Sequence, residues 1–270
     1  MRQVKFLASK RVEMYGEKMN TEMRSRLYVD QPLAPGQDAV LRREQAHYLL
    51  NVMRLDPGAR LLVFNGRDGE FEAEIIPEGR KQARLGILSL SKPQPQLPTL
   101  MLAFAPVKKA RIDFIAEKAT ELGVGIIQPV VTAYTNVSRV NTGRLAANAI
   151  EAAEQTGRLT IPVIREPLSL DAFLAGLNED FDLIFCDEGL APGGEGAMIE
   201  RVKSLTGPAA VLIGPEGGFS QAEREQINAF DRSVAVSLGP NILRADTAMV
   251  AALTLWQAAA GAWKEERAHG

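Results

Sequence analysis

Two glycine-containing loops in the C-terminal half of the sequence are the segments best suited to bind a ligand. The first follows the apolar run AAVLI and spans Gly214–Ser220, and the second follows VAVS and spans Leu238–Thr247. Glycine lets the backbone approach a ligand closely, and N–H groups left free in such turns can donate hydrogen bonds to it. Both loops also suit plain strand-to-helix turns, with Ser220 as an N-cap and Glu223 completing a capping box. Neither loop has the Lys-Ser/Thr ending of a P-loop or the GxGxxG pattern of a Rossmann fold.

For acid–base chemistry the sequence offers carboxylates and arginines, and almost no histidine. His47 and His269 are the only histidines, so histidine triads and most zinc or iron sites lack their parts, and we expect no metal. Four polar residues follow helical spacing and would share one face of a helix: Glu151, Glu154, Gln155 and Arg158. Such a face is usually solvated, so the spacing alone does not indicate a catalytic group.

The composition is that of an ordinary globular protein. The chain has 270 residues, of which 46% are hydrophobic and 24% charged, with a net charge of −2; these values argue against a collagen-like, disordered or disulfide-stapled chain. The net charge hides a split, because residues 1–92 carry 16 Lys+Arg and 12 Asp+Glu whereas residues 93–270 carry 15 and 21. The net charge of the whole chain, −2, does not indicate a strongly basic nucleic-acid binder.

The cysteine count and the apolar runs indicate a cytoplasmic protein. Cys186 is the only cysteine, so no intrachain disulfide can form, as is usual in a reducing compartment. The most apolar stretch, Ala248–Trp263, is interrupted by polar residues and is shorter than the roughly 20 residues of a membrane span. Residues 1–20 carry charges throughout and have no apolar segment typical of a secretory signal.

The pattern of elements divides the chain in two. Residues 1–22 are interpreted as a tail or an extension upstream of a functional start at Met23. Residues 23–92 contain short β-branched and aromatic runs, which predicts a small β-barrel, and Asn65-Gly66 and Asp68-Gly69 between two of the runs predict a hairpin. The proline-rich residues 93–98 form a linker. In residues 99–270, apolar runs alternate with helical stretches, which predicts an α/β domain with a parallel sheet. The runs are 100–106, 126–131, 182–187, 209–215 and 234–240.

Several motifs, in the right order along the chain, resemble those of the bacterial 16S rRNA (uracil-N3)-methyltransferases of the SPOUT superfamily. They are RLYV (26–29), HYLLNVMRLDPG (47–58), FNGRDGEFEAEI (64–75), EKATELGVGIIQPV (117–130), EAAEQTGR (151–158), LIGPEGGFS (212–220) and LGPNILRADTA (238–248). The resemblance implies a PUA-like β-barrel RNA-binding domain joined to a trefoil-knotted α/β methyltransferase domain. It also implies a homodimer that methylates uracil N3 of one uridine in 16S rRNA of the small ribosomal subunit.

The resemblance implies S-adenosylmethionine as the cofactor, held by the two glycine-containing loops. The cofactor-binding residues would be Leu212, Ile213, Gly214, Pro215, Glu216, Gly217, Gly218, Leu238, Gly239, Ile242, Leu243, Arg244, Thr247 and Ala248. Methyl transfer requires uracil N3 to lose its proton, which a base or a cation near the uracil anion would assist. The catalytic candidates are Arg244, Glu154 and Arg158, the last two from the EQxGR element.

RNA contacts would come from arginines of the barrel and from the basic run that follows the first strand of the α/β domain. These residues are Arg24, Arg26, Arg42, Arg43, Arg54, Lys108, Lys109 and Arg111. The start of a helix favours negative charge, so a run of cations is unfavourable there. A phosphate bound nearby would remove that conflict.

Two departures from the family leave other functions open. Many relatives have an arginine where this chain has Asn241, and another in the segment that contains Tyr134. The alternatives are therefore a SPOUT methyltransferase for another RNA position, and a non-catalytic ribosome assembly factor.

Overall fold

The computed structural model describes residues 25–79, 82–107, 109–136, 139–187, 189–190 and 197–263, without the side chains of residues 109 and 110. The predicted tail, Arg24, Lys108 and the side chain of Lys109 lie outside the description. The chain divides into two compact units, and the boundary along the sequence falls between Gln94 and Pro95.

The N-terminal unit is built on a five-stranded sheet with the order β1-β3-β4-β5-β2. The strands are β1 (Arg26–Tyr28), β2 (Asp38–Val40), β3 (Arg60–Phe64), β4 (Glu70–Pro77) and β5 (Ala83–Lys92). Strands β1 and β3 are parallel, and the other pairs are antiparallel. Helix α1 (Arg43–His47) continues directly into a π-helical turn (Tyr48–Val52).

The hairpin predicted between β3 and β4 is present, and its turn is fixed by one asparagine. The Asn65 side-chain oxygen accepts the backbone N–H groups of Arg67 and Asp68, each at 2.9 Å. Its amide nitrogen donates to Asp68 Oδ2, which also accepts the Leu33 N–H at 2.9 Å. These two hydrogen bonds, with the Leu33 N–H first, lower the pKa of Asp68 below its ordinary value.

A side-chain amide links the two edges of this sheet. Among the described residues the strand order is open, with β1 and β2 at its edges. Gln31, which follows β1, donates from Nε2 to the Val40 carbonyl at 2.7 Å and accepts the Val40 N–H at 3.0 Å. The predicted barrel is thus a curled sheet whose edges are joined by Gln31 where a barrel would have a backbone ladder.

The C-terminal unit confirms the predicted α/β fold. Its seven strands are all parallel, in the order β12-β10-β11-β6-β7-β8, and β9 also pairs with β7. They are β6 (Leu100–Phe104), β7 (Ile126–Val131), β8 (Val163–Ile164), β9 (Leu168–Ser169), β10 (Asp182–Cys186), β11 (Ala209–Ile213) and β12 (Ser233–Val236). The helices are α2 (Lys109–Glu121), α3 (Thr142–Thr156), α4 (Leu170–Gly176), α5 (Met198–Val202), α6 (Gln221–Ala229) and α7 (Ala245–Ala259).

Helices cover both faces of this sheet, because its central strands are apolar throughout. Along β6, Leu100, Leu102 and Phe104 pack in a cluster with buried residues of α2, α3, α5 and α7. The alternate residues Met101 and Ala103 pack with residues of α4 and α6 on the opposite face. Side chains alternate between the faces of a strand, so a strand buried on both sides must be apolar at every position.

The strand order creates a switch point at the centre of the sheet. The chain runs outward from β6 through β7 to β8, and then returns to build β10, β11 and β12 on the other side of β6. In open α/β sheets, ligands bind in the crevice outside the carboxyl ends of the strands at such a point. The trefoil knot that the resemblance implies stays a prediction. Across the described part of the chain, no helix is long and apolar enough to cross a membrane.

Candidate functional site

The first cavity lies at the carboxyl ends of β10, β11 and β12 and has a volume of about 270 Å³. Because these three strands are neighbours in the sheet, the loops that follow them converge at one edge. The cavity is lined mainly by backbone and apolar side chains of Ile213–Pro215, Gly218–Phe219 and Ser237–Leu243, with Ala245 and Ala248 of α7. A concave site that combines apolar side chains with a few polar groups is typical of small-molecule and cofactor sites.

Two glycines shape the walls of the first cavity. A Cβ on Gly214 would lie 2.6 Å from the ring of Phe219, which is buried. Gly239 has φ +117°, a conformation that other residues rarely adopt, and a Cβ there would meet no atom within 4 Å. Gly214 therefore permits close packing of its loop, whereas Gly239 permits the turn that opens the cavity.

Among the described residues, the charged groups that line the first cavity are Asp187 and Arg224, neither of which the sequence predicts as a site residue. Asp187 Oδ1 lies 2.6 Å from Arg224 Nη1 and accepts the Gly189 N–H at 2.9 Å. The carboxylate is almost buried, with 9% of its side chain exposed. It follows β10 directly, so the rule that strand ends meet at one edge could have identified it from the sequence.

Cys186, the last residue of β10, also lines the first cavity. Burial raises the pKa of its thiol to about 12, so the thiol stays neutral at physiological pH. A neutral thiol is a poor nucleophile, and Cys186 therefore contributes shape to the cavity and not covalent chemistry.

The predicted capping box at the start of α6 is present, so the loop is both a helix cap and a cavity wall. Ser220 accepts the Glu223 N–H at 3.3 Å, and Glu223 Oε2 accepts the Ser220 N–H at 2.8 Å. The second carboxylate oxygen of Glu223 accepts the Ala133 N–H at 2.6 Å. Glu223 thus joins the first glycine-containing loop to the loop that follows β7.

Nine of the fourteen predicted cofactor-binding residues line the first cavity: Ile213, Gly214, Pro215, Gly218, Leu238, Gly239, Ile242, Leu243 and Ala248. The other five lie elsewhere. Leu212 is fully buried in the core between β11 and the helices, whereas Arg244 and Thr247 are exposed at the start of α7. Glu216 lines a second cavity, and Gly217 packs against the side chain of Tyr134.

The second cavity has a volume of about 260 Å³ and adjoins the first at Pro215, which lines both. Its other lining residues follow β6, β7 and β11 or belong to α2: Pro106, Val107, Arg111, Tyr134, Asn136 and Glu216. Arg111 forms an ion pair with Glu216 and lies 3.9 Å from Asp246 Oδ2. The predicted RNA contact Arg111 is therefore part of a cavity beside the predicted cofactor loop.

Arg158, a catalytic candidate from the sequence, is bound to groups of its own unit, and its catalytic role stays a prediction. Its guanidinium donates to the carbonyl oxygens of Thr120 and Val124, the latter at 2.6 Å, and to Thr160 Oγ1 at 2.8 Å. Desolvation by burial lowers its pKa to about 10, and it remains charged at neutral pH. The helical spacing with Glu154 placed it on a face, but its long side chain folds back over the end of α2.

Arg26 is likewise held inside its unit. Its guanidinium pairs with the buried Glu70 at 2.8 Å and lies 4.5 Å from the centroid of the Phe64 ring, with 11% of the side chain exposed. Arg26 therefore presents little of its side chain to a ligand, and its role in RNA binding stays a prediction. The other described barrel arginines of that prediction, Arg42, Arg43 and Arg54, are exposed.

Glu154 lies on α3 and is half-buried, and it lines neither cavity. Its catalytic role stays a prediction. Within the ranges that the structure describes, no group of three or more His, Cys, Asp or Glu side chains could hold a metal ion.

Comparison with known families matches both units. A family described as an RNA methyltransferase domain matches residues 93–257, and one described as an RNA methyltransferase PUA domain matches residues 41–88.

Individual relatives align over nearly the whole chain. The ribosomal RNA small subunit methyltransferase E of Rickettsia conorii is 32% identical over 85% of this chain and 93% of its own length. The protein of the same name from Bacillus subtilis is 29% identical over 78% of this chain and 86% of its own. A methyltransferase structure from Legionella pneumophila with bound SAM has a TM-score of 0.76 and 31% identity, covering 88% of this chain and 98% of that one. The ribosomal RNA small subunit methyltransferase E of Neisseria gonorrhoeae, bound to S-adenosyl methionine, has a TM-score of 0.75 and 28% identity, covering 87% and 97%.

Proposed function

This chain belongs to the RNA methyltransferase family whose domain spans residues 93–257, and we propose that it methylates N3 of one uracil in 16S rRNA with S-adenosylmethionine. The observation that carries the proposal is the first cavity, which lies where strand ends converge and is lined by the family's two glycine-containing loops. The small-subunit relatives and the SAM-bound neighbours support the substrate and the cofactor.

The residues of the first cavity fit S-adenosylmethionine. Apolar side chains such as Ile213, Leu238 and Leu243 offer faces for a planar base, and backbone groups at the glycines can bond its edge. Asp187 is an anionic acceptor that suits ribose hydroxyls or the amino group of the methionine part. When bound, the cofactor supplies an electrophilic methyl group on a positively charged sulfur.

The chain's own residues must orient the base and remove the N3 proton. The neutral imide of uracil has no lone pair directed at the methyl group, so a proton acceptor or a cation near the base lowers the barrier. Arg244 is exposed at the N-cap of α7, between the cavity residues Leu243 and Ala245. We therefore retain Arg244 as a cation at the mouth of the first cavity.

RNA recognition would use the exposed arginines of the N-terminal unit. Arg42 and Arg43 lie at the start of α1, and Arg54 follows the π-helical turn. Cations of this kind contact phosphates and fix the register of an RNA, whereas base contacts supply specificity. The proposed substrate is the 16S rRNA of the assembled small subunit, in the cytoplasm.

The test is methyl transfer from labelled S-adenosylmethionine to small subunits, and in parallel to naked 16S rRNA, both taken from a strain that lacks this protein. We expect one labelled nucleoside, 3-methyluridine, identified by mass spectrometry. A different methylated nucleoside would indicate another RNA position. Binding of small subunits without any transfer would indicate a non-catalytic assembly factor.

We further propose that the protein acts as a homodimer. Ile242 lies on the second glycine-containing loop and is 77% exposed, the largest exposed fraction among the described large apolar residues, and a second copy of the chain would cover it. Sedimentation equilibrium measures the mass directly. A monomer at concentrations at which methyl transfer is complete would contradict this part of the proposal.

A further inference from the structure

The second cavity lies at the switch point of the seven-stranded sheet. Its lining residues Pro106 and Val107 follow β6, Tyr134 and Asn136 follow β7, and Glu216 follows β11. Strands β7, β6 and β11 are consecutive in the sheet, and the chain reverses its direction of winding at β6. This is the place where open α/β sheets bind ligands, yet the first cavity, at β10, β11 and β12, accounts for the cofactor alone.

We propose that the second cavity holds the target uracil, with Tyr134 stacked on the base, Arg111 stabilising its anion and Glu216 accepting its N3 proton. This inference rests on the proposed function and adds the substrate subsite to it. Because Pro215 lines both cavities, a base in the second cavity adjoins a cofactor in the first.

The walls of the second cavity match a pyrimidine base. Pro106 and the buried Val107 are apolar, and Tyr134, a residue that is 50% exposed, presents an aromatic ring. Unstacked RNA bases are commonly bound on aromatic side chains and read at their edges. The Asn136 side-chain amide has both donors and an acceptor, which suits the alternating carbonyl and imide groups of uracil.

The loop that carries Tyr134 is held in place before any ligand arrives. The Ala133 N–H donates to Glu223 Oε1 at 2.6 Å, and the Thr132 N–H donates to Thr135 Oγ1 at 2.9 Å. On the other side, a Cβ on Gly217 would lie 3.4 Å from Tyr134 Cβ. An aromatic platform fixed at both sides loses little conformational freedom on binding a base.

Arg111 and Glu216 provide a cation and a carboxylate at the same cavity. Arg111 pairs with Glu216 and lies 3.9 Å from Asp246, so one carboxylate from the loop after β11 and one from the first turn of α7 hold the guanidinium at the cavity edge. Both partners remain partly accessible, with 32% of the Arg111 side chain and 51% of the Glu216 side chain exposed. A base that enters can therefore contact both groups.

The proposed step balances as a proton transfer and a displacement. The Glu216 carboxylate accepts the N3 proton, and Arg111 stabilises the negative charge that spreads over the two uracil carbonyl oxygens. The N3 electron pair forms the bond to the methyl carbon, and the carbon–sulfur electron pair returns to sulfur, which becomes a neutral thioether.

The test compares variants of the full chain in methyl transfer to small subunits, with cofactor binding measured separately by calorimetry. Tyr134→Leu should lower kcat/KM by about 5- to 150-fold, the value of one base stack, whereas Tyr134→Phe should retain activity. Phe114→Ala is the matched control, because Phe114 is an aromatic residue of the same unit, 39% exposed and outside both cavities. All three variants should bind S-adenosylmethionine as the wild type does.

The acidic and basic groups have their own test. Glu216→Gln should lower kcat by about 10²- to 10⁴-fold. The methyl-transfer rate of this variant should rise steeply with pH, because the uracil then loses its N3 proton to solvent. Arg111→Gln should lower kcat by about 10²- to 10³-fold. Glu200→Gln is the matched control, because Glu200 is 59% exposed and paired with Lys203, as Glu216 is paired with Arg111.

The outcomes separate this inference from the proposed function. Variants at Tyr134, Arg111 and Glu216 that transfer methyl groups within threefold of their controls would overturn the subsite and leave the proposed function intact. Equal losses in Tyr134→Phe and Tyr134→Leu would overturn the stacking role. A wild-type protein that binds no S-adenosylmethionine and transfers no methyl group would overturn both proposals.

Discussion

Replacing Arg158 by methionine tests whether this residue supports the fold or acts in catalysis. Its guanidinium donates to the carbonyl oxygens of Thr120 and Val124 and to the Thr160 hydroxyl. The first two acceptors lie at and just beyond the end of α2, where helix carbonyls lack partners within the helix. Methionine keeps much of the apolar stem but removes all the donors.

The size of the effect follows from the carbonyl groups left behind. Thr120 and Val124 are both fully buried, so water cannot readily replace the guanidinium. The Thr120 carbonyl keeps a second donor, the Gly123 N–H at 3.1 Å, so the main cost comes from the Val124 carbonyl. A buried acceptor that loses its donor costs about 1–3 kcal/mol, and for a domain of this size each kcal/mol lowers Tm by about 2–4 °C. We therefore expect Arg158→Met to lower Tm by roughly 2–12 °C.

Circular dichroism during heating and in urea measures the loss, and methyl transfer is measured well below the variant's Tm. Arg165→Met is the matched control, since Arg165 is exposed in the same unit and surface substitutions usually change stability by less than about 0.5 kcal/mol. A variant with an unchanged Tm and methyl transfer reduced more than a hundredfold would refute the structural role and restore the catalytic one.

Three further predictions concern the glycine-containing loops and the residues beside them. Gly239→Ala should lower the free energy of unfolding by about 1–3 kcal/mol in urea, because φ +117° costs a non-glycine residue about that much in the folded protein; Gly176→Ala, without such a φ, should not, and equal stabilities in both would contradict this. Burial raises the pKa of Cys186 to about 12 from 9.0, so stability present below pH 9 should fall by about 1.4 kcal/mol per pH unit above it. Urea denaturation should show that slope, and Cys186→Ala should remove it; the same slope in both would refute the assignment. Glu223→Gln should lower the free energy of unfolding by about 1–3 kcal/mol, because one of two backbone N–H groups loses its carboxylate acceptor. Glu225→Gln, exposed on the same helix, is its control, and an equal loss in both would contradict the linking role.

Local patterns were sufficient to predict most of the elements. The apolar runs at 100–106, 126–131, 182–187, 209–215 and 234–240 each correspond to a strand of the parallel sheet, because strands buried on both faces must be continuously apolar. The Asn-Gly and Asp-Gly pairs predicted the β3–β4 hairpin for a reason of backbone geometry. Strands β2, β8 and β9 and helix α4 were not predicted, since elements of two to seven residues have too few positions to show a period.

The roles of individual charged residues could not be predicted, because they depend on what lies across the fold. Arg158 and Thr120 are 38 residues apart, and Arg26 and Glu70 are 44 residues apart. Helical spacing placed Arg158 beside Glu154 but carried no information about the carbonyls of α2 that it reaches. Glu216 illustrates the same point within one loop: Gly214 and Gly218 line the first cavity, whereas Glu216 lines the second.

Arginines differ in whether they are buried in ion pairs or exposed, and this explains why net charge is a poor guide to RNA binding. Arg26 neutralises a buried carboxylate, so it adds to the charge sum and nothing to the surface available to RNA. Arg54, in contrast, is exposed, and its φ of +55° is the only positive value among the described non-glycine residues. It follows a π-helical turn, a form often found at functional sites. An exposed cation on a strained backbone contributes little to folding. Arg54 is therefore better suited than the buried Arg26 to bind a phosphate.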